Sequence, residues 1–486
     1  MTIRLQEPSR LSRVGSRLAG PALARLFILA GMGLLLFAVF GRFWTWFAPR
    51  GDMGESNAVE RFGPGSTELE PTDWPHLRGP NFDGVSAETG LAQRWPDEGP
   101  PVLWIRHVGE GYSGLIRVGD RLFTQTQTAY RQSVLCLDAE SGETIWEHPY
   151  DWPYEQGGMY PGPRATPTWH AGRVYFAGPR GTVGCLAAAD GRLLWRVNVV
   201  QEFGARGIGF GYSCTPLVCD GKVILPVGGE KAAVVALDAD KGSTVWTGGD
   251  EPASYCGALP ITLQDRPLVV AFLQNALLLL DRTTGEALWR HELSREYDEH
   301  SAWPVYDEPR LMIASPFRKG AAQFTLEAAG GADERRLVGR PAWDSMQMSN
   351  DVASCVLHEG CVYGFDLRDI QTKARRASRG TFRALDFKTG DVLWSDERPG
   401  HASLIAADGK LLMLNDRGEA ILASASPEAY EELSRANVFG GEICWTAPTL
   451  SRGRLYLRSP TRAACLYVGK PEQLPEARRA AARRTS

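Results

Sequence analysis

The sequence predicts an all-β fold, an eight-bladed β-propeller of four-stranded antiparallel blades preceded by one transmembrane helix. Four closely similar phrases, LDAESGETIW, LDADKGSTVW, LDRTTGEALW and LDFKTGDVLW, end at Trp146, Trp246, Trp289 and Trp394. A weaker copy, LAAADGRLLW, ends at Trp195. With Trp104, Trp343 and Trp445 they make eight tryptophans spaced 42 to 54 residues apart. Self-similarity at about 40–50 residues is the signature of an array of supersecondary units. The helix rests on a separate observation, an almost unbroken apolar run from Leu26 to Phe40.

Residues 1–25 form a basic segment carrying Arg4, Arg10, Arg13, Arg17 and Arg25. Residues 26–47 have the length needed to cross a bilayer, with Arg42 placed to snorkel and Trp44 and Trp46 where an interfacial belt belongs. The upstream arginines put the N-terminus in the cytoplasm, so the expectation is a single-pass signal anchor in the cytoplasmic (inner) membrane with the propeller in the periplasm. A cleaved signal peptide is the rival reading, although no small-x-small site follows the run. No cysteine precedes Cys136, which excludes lipid attachment at a processed N-terminal cysteine. Residues 48–73, rich in Gly, Pro, Ser and acids, read as a flexible linker, and the propeller is expected over 74–469. Residues 470–486 read as a basic C-terminal tail.

Within one repeat, short apolar runs alternate with turn signals, as in ATPTW, GRVYFAG and TVGCLAAADGRLLW of residues 165–195. In the turn phrase, Asp bonds backbone ahead of itself and Gly supplies a left-handed conformation. A four-stranded sheet cannot bury both faces alone, so each must stack on a neighbour, and the indole is the natural filler. Trp104, Trp146, Trp195, Trp246, Trp289, Trp343, Trp394 and Trp445 are therefore expected as blade-docking residues. After Trp445 the chain has room for three strands (447–469), and PPVLWIRHVG (100–109) is a lone strand. Joining them completes an eighth blade and closes the ring, leaving few open edges. The unit at 301–343 lacks the turn phrase, which leaves a seven-bladed ring as the alternative.

The formal net charge of −4 and the absence of a basic stripe argue against nucleic acid as a partner. The nine cysteines show no metal-ribbon spacing and no C-x-x-C-H. Cys136, Cys185 and Cys465 occupy the same place in three repeats and read as small buried hydrophobes. Cys214 with Cys219, and Cys355 with Cys361, are spaced to pair across a hairpin.

The tryptophan phrase resembles the pyrroloquinoline-quinone (PQQ) repeat of quinoprotein alcohol dehydrogenases and BamB-like outer-membrane-assembly propellers. The lead-in WPHLRGPNFDGVSAETGL (74–91) is similar to that of PQQ-binding-like β-propeller repeat proteins, as are GPRATPTWHAGRVYF (162–176), YSCTPLVCDGKVILPVGG (212–229), NDVASCVLHEGCVYGFD (350–366) and GEICWTAPTLSRGRLYLR (441–458). The resemblance implies the fold over residues 74–469; the motif describes packing and leaves activity open.

A quinoprotein dehydrogenase would need a calcium ion on oxygen ligands, a carboxylate base and an aromatic floor, and the resemblance adds an adjacent-cysteine disulfide. The chain has no adjacent cysteines, and Asn350–Asp351 is the only Asn–Asp pair near the start of an inner strand. No H-x-H or H-x-x-x-H spacing indicates a transition metal, and no G-x-S-x-G indicates a hydrolase. GARGIGFG (204–211) joins two strand units and reads as a loop over one face. Arg164, Tyr212, His300, Asn350, Asp351 and His401 precede or begin inner strands and are the candidates for a funnel mouth, against the plain reading of satisfied loop groups. The expected function is a non-catalytic, membrane-anchored scaffold for an envelope protein, with no cofactor. The alternatives are a PQQ- and calcium-dependent alcohol dehydrogenase and a sensor of a carbohydrate or other small ligand.

Overall fold

In the computed structural model, which describes residues 62–63, 65–155, 160–293, 299–329, 336–369 and 378–474, every repeat becomes a four-stranded antiparallel sheet. The sheets span 116–151, 168–198, 217–248, 259–292, 305–345, 356–396, 402–437 and 449–467, here blades 1 to 8. The chain divides into two units, 1–55 and 56–486, and all described residues lie in the second. The expected membrane helix at 26–47 and the basic segment before it lie outside the described residues. Among those described, no helix is long and apolar enough to cross a membrane.

Blade 8 takes its outer strand from the other end of the chain. Val102–His107 runs antiparallel to Arg462–Tyr467, with Ile105 opposite Ala464. Blade 5 forms without the turn phrase, because Gly320–Ala328 and Leu337–Ser345 pair along most of their lengths. The ring therefore has eight blades, and the seven-bladed alternative falls.

The turn phrase does two jobs. Its Asp holds the turn: Asp138 Oδ1 accepts from Ser141 N at 2.8 Å, and Asp238, Asp281 and Asp386 repeat this with Lys241 N, Thr284 N and Thr389 N. Its Gly is also a flat seat for the indole of the preceding blade. Trp104 packs on Gly142, Trp146 on Gly191, Trp195 on Gly242, Trp246 on Gly285 and Trp343 on Gly390. In blade 5, Gly339 takes that part for Trp289. The indole N–H then donates to a carbonyl beside the turn, as Trp104 to Ala139 O, Trp146 to Ala188 O and Trp195 to Ala239 O. Trp394 reaches Ser426 O in blade 7 at 2.8 Å.

Trp445 does not take part in this pattern. It stands in the connection ahead of blade 8, not on an outer strand. The outer strand of blade 7, Glu432–Asn437, carries Ser434 in the tryptophan's slot, opposite Leu422 and next to the same register shift. Ser434 Oγ accepts from Trp95 N at 2.8 Å, and the buried Trp95 packs among Leu412, Leu422, Leu450 and Leu455 of blades 7 and 8. The eighth wedge thus comes from the lead-in.

The cysteines are all free thiols. Cys136, Cys185 and Cys465 lie opposite Trp146, Trp195 and Trp104 across the strand pair and are fully buried. The hairpin pairs that the cysteine spacing allows do not form, and each inner thiol turns elsewhere: Cys214 Sγ donates to Ser254 O and Cys355 Sγ to Asn350 Oδ1. Burial pushes both thiols up to about 12, which leaves them unreactive.

The lead-in closes one end of the channel. Trp74 bridges to Arg117 of blade 1, and Pro75 O accepts from Trp169 N of blade 2. Arg78 Nη2 donates to Cys355 O ahead of blade 6, and Val85–Ser86 pairs in parallel with Ala406 and Ala407 of blade 7. Leu91 then bridges to Gly469 beyond blade 8. Packing begins before Trp74: Phe62 is buried among Phe123, Trp146 and Trp169, so the end of the expected linker belongs to the fold.

Candidate functional site

The opposite end of the channel opens as a cavity of about 430 Å³. Its lining is a repeat position. Six residues ahead of the last residue of each innermost strand stand Tyr112, Arg164, Ser213, Ser301, Val352, His401 and Trp445 in blades 1, 2, 3, 5, 6, 7 and 8. All of these except His401 line the cavity. Two residues further along, Gly114, Thr166, Trp303, Ser354, Ser403 and Ala447 form a second, mostly small tier beneath them. Alternation along an extended chain sends every second residue to the same side. The ring thus repeats the address, and each blade supplies a different side chain.

One wall is aromatic. Trp445 stacks on Tyr112 at 5.5 Å between centroids and approaches Tyr160 at 5.2 Å. Tyr160 leads to Phe210 at 6.0 Å and Phe210 to Tyr255 at 6.3 Å. Trp303 and the lead-in residues Leu77 and Arg78 also line the cavity. Burial raises the Tyr112 phenol to about 12, so it stays protonated.

The charged groups are held from behind. Arg78 is buried and donates to Asp83 O and Cys355 O, while its Nε has no partner. Arg164 donates to Gly162 O and Tyr160 O, and its guanidinium lies 5.4 Å from the Tyr154 ring, which Arg180 also faces at 5.3 Å. Asp351 Oδ1 meets His401 Nε2 at 2.9 Å. Burial alone would push His401 toward neutrality, but the Asp351 carboxylate outweighs it and the imidazole's pKa stands above its ordinary value. Burial likewise works against ionised Asp351, and His401 reverses this, holding the carboxyl below its ordinary range.

Of the six sequence candidates, the structure brings Arg164 and Asp351 to the cavity and sets His401 behind Asp351. Tyr212, His300 and Asn350 are buried structural groups. Tyr212 OH donates to Val227 O at 2.6 Å, and the His300 ring stacks on Phe272 at 4.2 Å. Both amide atoms of Asn350 are engaged, Nδ2 with Phe365 O and Oδ1 with the Cys355 thiol. The residues missed are Tyr112, Tyr160, Phe210, Tyr255, Trp303, Trp445 and Arg78. The aligned repeat position would have found Tyr112, Trp445 and Trp303.

A calcium–quinone pair finds little to hold here. Among the described residues, no three His, Cys, Asp or Glu side chains are grouped to bind a metal. The cavity's carboxylates are Asp351, already bound to His401, and Glu299. The adjacent-cysteine disulfide that the resemblance implies for such an enzyme has no counterpart among the nine free thiols.

Outside the cavity, the same mouth carries two exposed aromatics beside Gln132 at the end of blade 1. Trp152 is 77% exposed and Tyr130 69%. Gln132 Nε2 donates to Trp152 O, and Arg180 clamps Trp152 O and Pro153 O at 2.9 Å each.

The family model described as outer membrane protein assembly factor BamB matches residues 130–369 and 280–455. A protein of that name from Yersinia pestis is 22% identical over 305 residues, covering 60% of this chain and 70% of the relative. Among solved structures, BamB from Moraxella catarrhalis superimposes with a TM-score of 0.53 at 16% identity, over 76% of this chain and all of that one. A quinohemoprotein alcohol dehydrogenase from Pseudomonas putida HK5 gives 0.58 at 14% identity, over 85% of this chain and 81% of the enzyme. At these identities the structural likeness establishes the fold.

Proposed function

The chain belongs to the family of outer membrane protein assembly factor BamB, and from that premise we propose that it is a non-catalytic scaffold that holds a partner protein at the cell envelope. The observation that carries the reading is the rim at the open mouth. Trp152 and Tyr130 both stand exposed there, and exposed aromatic residues anchor protein interfaces. Arg180 donates to Trp152 O and Pro153 O and so holds the main chain that carries the indole. The role requires no cofactor.

The location belongs to the same proposal. The apolar run 26–47, flanked upstream by five arginines, supports a single-pass anchor in the cytoplasmic membrane with the propeller in the periplasm. A photo-crosslinking residue at position 152 of the full-length chain is expected to trap an envelope protein in cells. The same residue at position 388, in an exposed turn at the other end of blade 6, is not. Trp152→Ala should weaken the complex by about 2 kcal/mol, roughly 30-fold. Equal trapping at both positions, or none at 152, would sink the scaffold reading.

A further inference from the structure

We propose that the aromatic cavity is a binding site for a short neutral saccharide of about two rings, the size of ligand that such a volume admits. The argument starts from what the walls offer. One side is a continuous run of rings from Trp445 through Tyr112, Tyr160 and Phe210 to Tyr255. Flat, amphipathic rings receive flat ligands with an apolar face and a wet edge. A pyranose has such a shape: C–H bonds on its faces and hydroxyls around its rim.

The remaining wall specifies the rim. Ser213 Oγ donates to Tyr255 O, Ser301 Oγ to Asp351 O, Ser403 Oγ to Trp445 O and Thr446 Oγ1 to Arg458 O. Each hydroxyl has spent its only hydrogen on the main chain, so it meets a ligand as an acceptor. A sugar rim brings hydroxyl hydrogens that these acceptors can take up, and a purely apolar ligand would leave them without a donor. Charge narrows the class further. The lining carries both signs, Asp351 and Glu299 against Arg78 and Arg164, an arrangement that favours neither an anion nor a cation and suits a neutral polar ligand.

This inference stands apart from the scaffold reading, since it rests on the cavity and not on Trp152. The test uses the full-length chain in a detergent without a sugar headgroup. Glucose, N-acetylglucosamine, maltose, cellobiose and N,N′-diacetylchitobiose are titrated by calorimetry, with tryptophan emission followed in parallel. At least one sugar should bind saturably and shift the emission. Trp445→Ala should weaken it about tenfold or more, Trp445→Phe should weaken it less, and Trp152→Ala should leave it unchanged. Thermal unfolding of each variant establishes that it is folded, and Trp445→Phe keeps the ring in place if the alanine variant is not. The proposal is overturned if no sugar binds at ~10 mM, where even a millimolar site would be mostly filled. Binding that is the same in Trp445→Ala overturns it equally, as does binding of a charged quinone or an apolar dye with none of any sugar.

Discussion

Replacing Trp146 by alanine tests the docking role of the repeated indole. Trp146 is 2% exposed, seated on Gly191 of blade 2 and bonded to Ala188 O at 3.1 Å. A buried tryptophan removes about 150–250 Å² from water, worth roughly 4–6 kcal/mol at about 25 cal/mol per Å². That area figure is an upper bound, and tryptophan-to-alanine changes in cores cost about 3–5 kcal/mol. Losing the N–H bond adds little, because Ala188 O keeps its bond from Arg121 Nη1. The expected cost is therefore about 4 kcal/mol. Trp445→Ala is the comparison that makes the number informative. Trp445 is half-buried, borders an open cavity and has no hydrogen-bond partner for its N–H, so its loss should cost only about 1–2 kcal/mol. Urea unfolding followed by circular dichroism measures both. Costs within about 0.5 kcal/mol of each other would refute the distinction between wedge and cavity residue.

Gly142→Ala should destabilise the chain by more than about 1 kcal/mol, since its φ is +69° and an added methyl would sit 2.7 Å from the Trp104 ring; a neutral result in thermal unfolding would remove the glycine seat. Stability should also fall on both sides of neutral pH. His401, with its pKa raised in the fold, contributes fully below about pH 6.5 and loses that contribution as pH rises through its folded value. His76 is held down to about 3, first by burial and then by Arg78, so its contribution is whole above about pH 6.5 and drains away as pH falls toward 3. His401→Gln should flatten the alkaline limb and His76→Gln the acid limb of a melting-temperature profile, and unchanged limbs would contradict these assignments. Adding PQQ and calcium should leave dye-linked alcohol oxidation at background; turnover above it would reinstate the enzyme reading.

The phrase ending in tryptophan made the ring legible, because one short stretch encodes a hairpin, a glycine seat and the indole that fills the seam before the next blade. Trp445 has the right spacing but the wrong neighbours: TAPTL of an inner strand follows it, and no turn phrase precedes it. Spacing alone could not separate it from Trp394. Trp95 was hidden because it precedes the repeats, and its partner Ser434 is unremarkable until the register shift in blade 7 is seen. At the cavity, attention to ionisable groups found Arg164, Asp351 and His401 and passed over the aromatic wall. Tyr112 and Trp445 occupy the same address as Arg164, counted back from the hairpin. The Asp351–His401 pair joins neighbouring blades at almost that same address, which a single unaligned sequence does not display. Tyr212, His300 and Asn350 share the region but turn into loop packing, because main-chain carbonyls and a thiol there need partners.

Ring closure is tested most directly by native-state hydrogen exchange across blade 8. If Val102–His107 is the outer strand against Arg462–Tyr467, amides in the two segments that bond across the pair should share one protection level and lose it together on mild destabilisation. Free exchange of the N-terminal strand while 462–467 stays protected would show an open ring, and the account of the fold would fail.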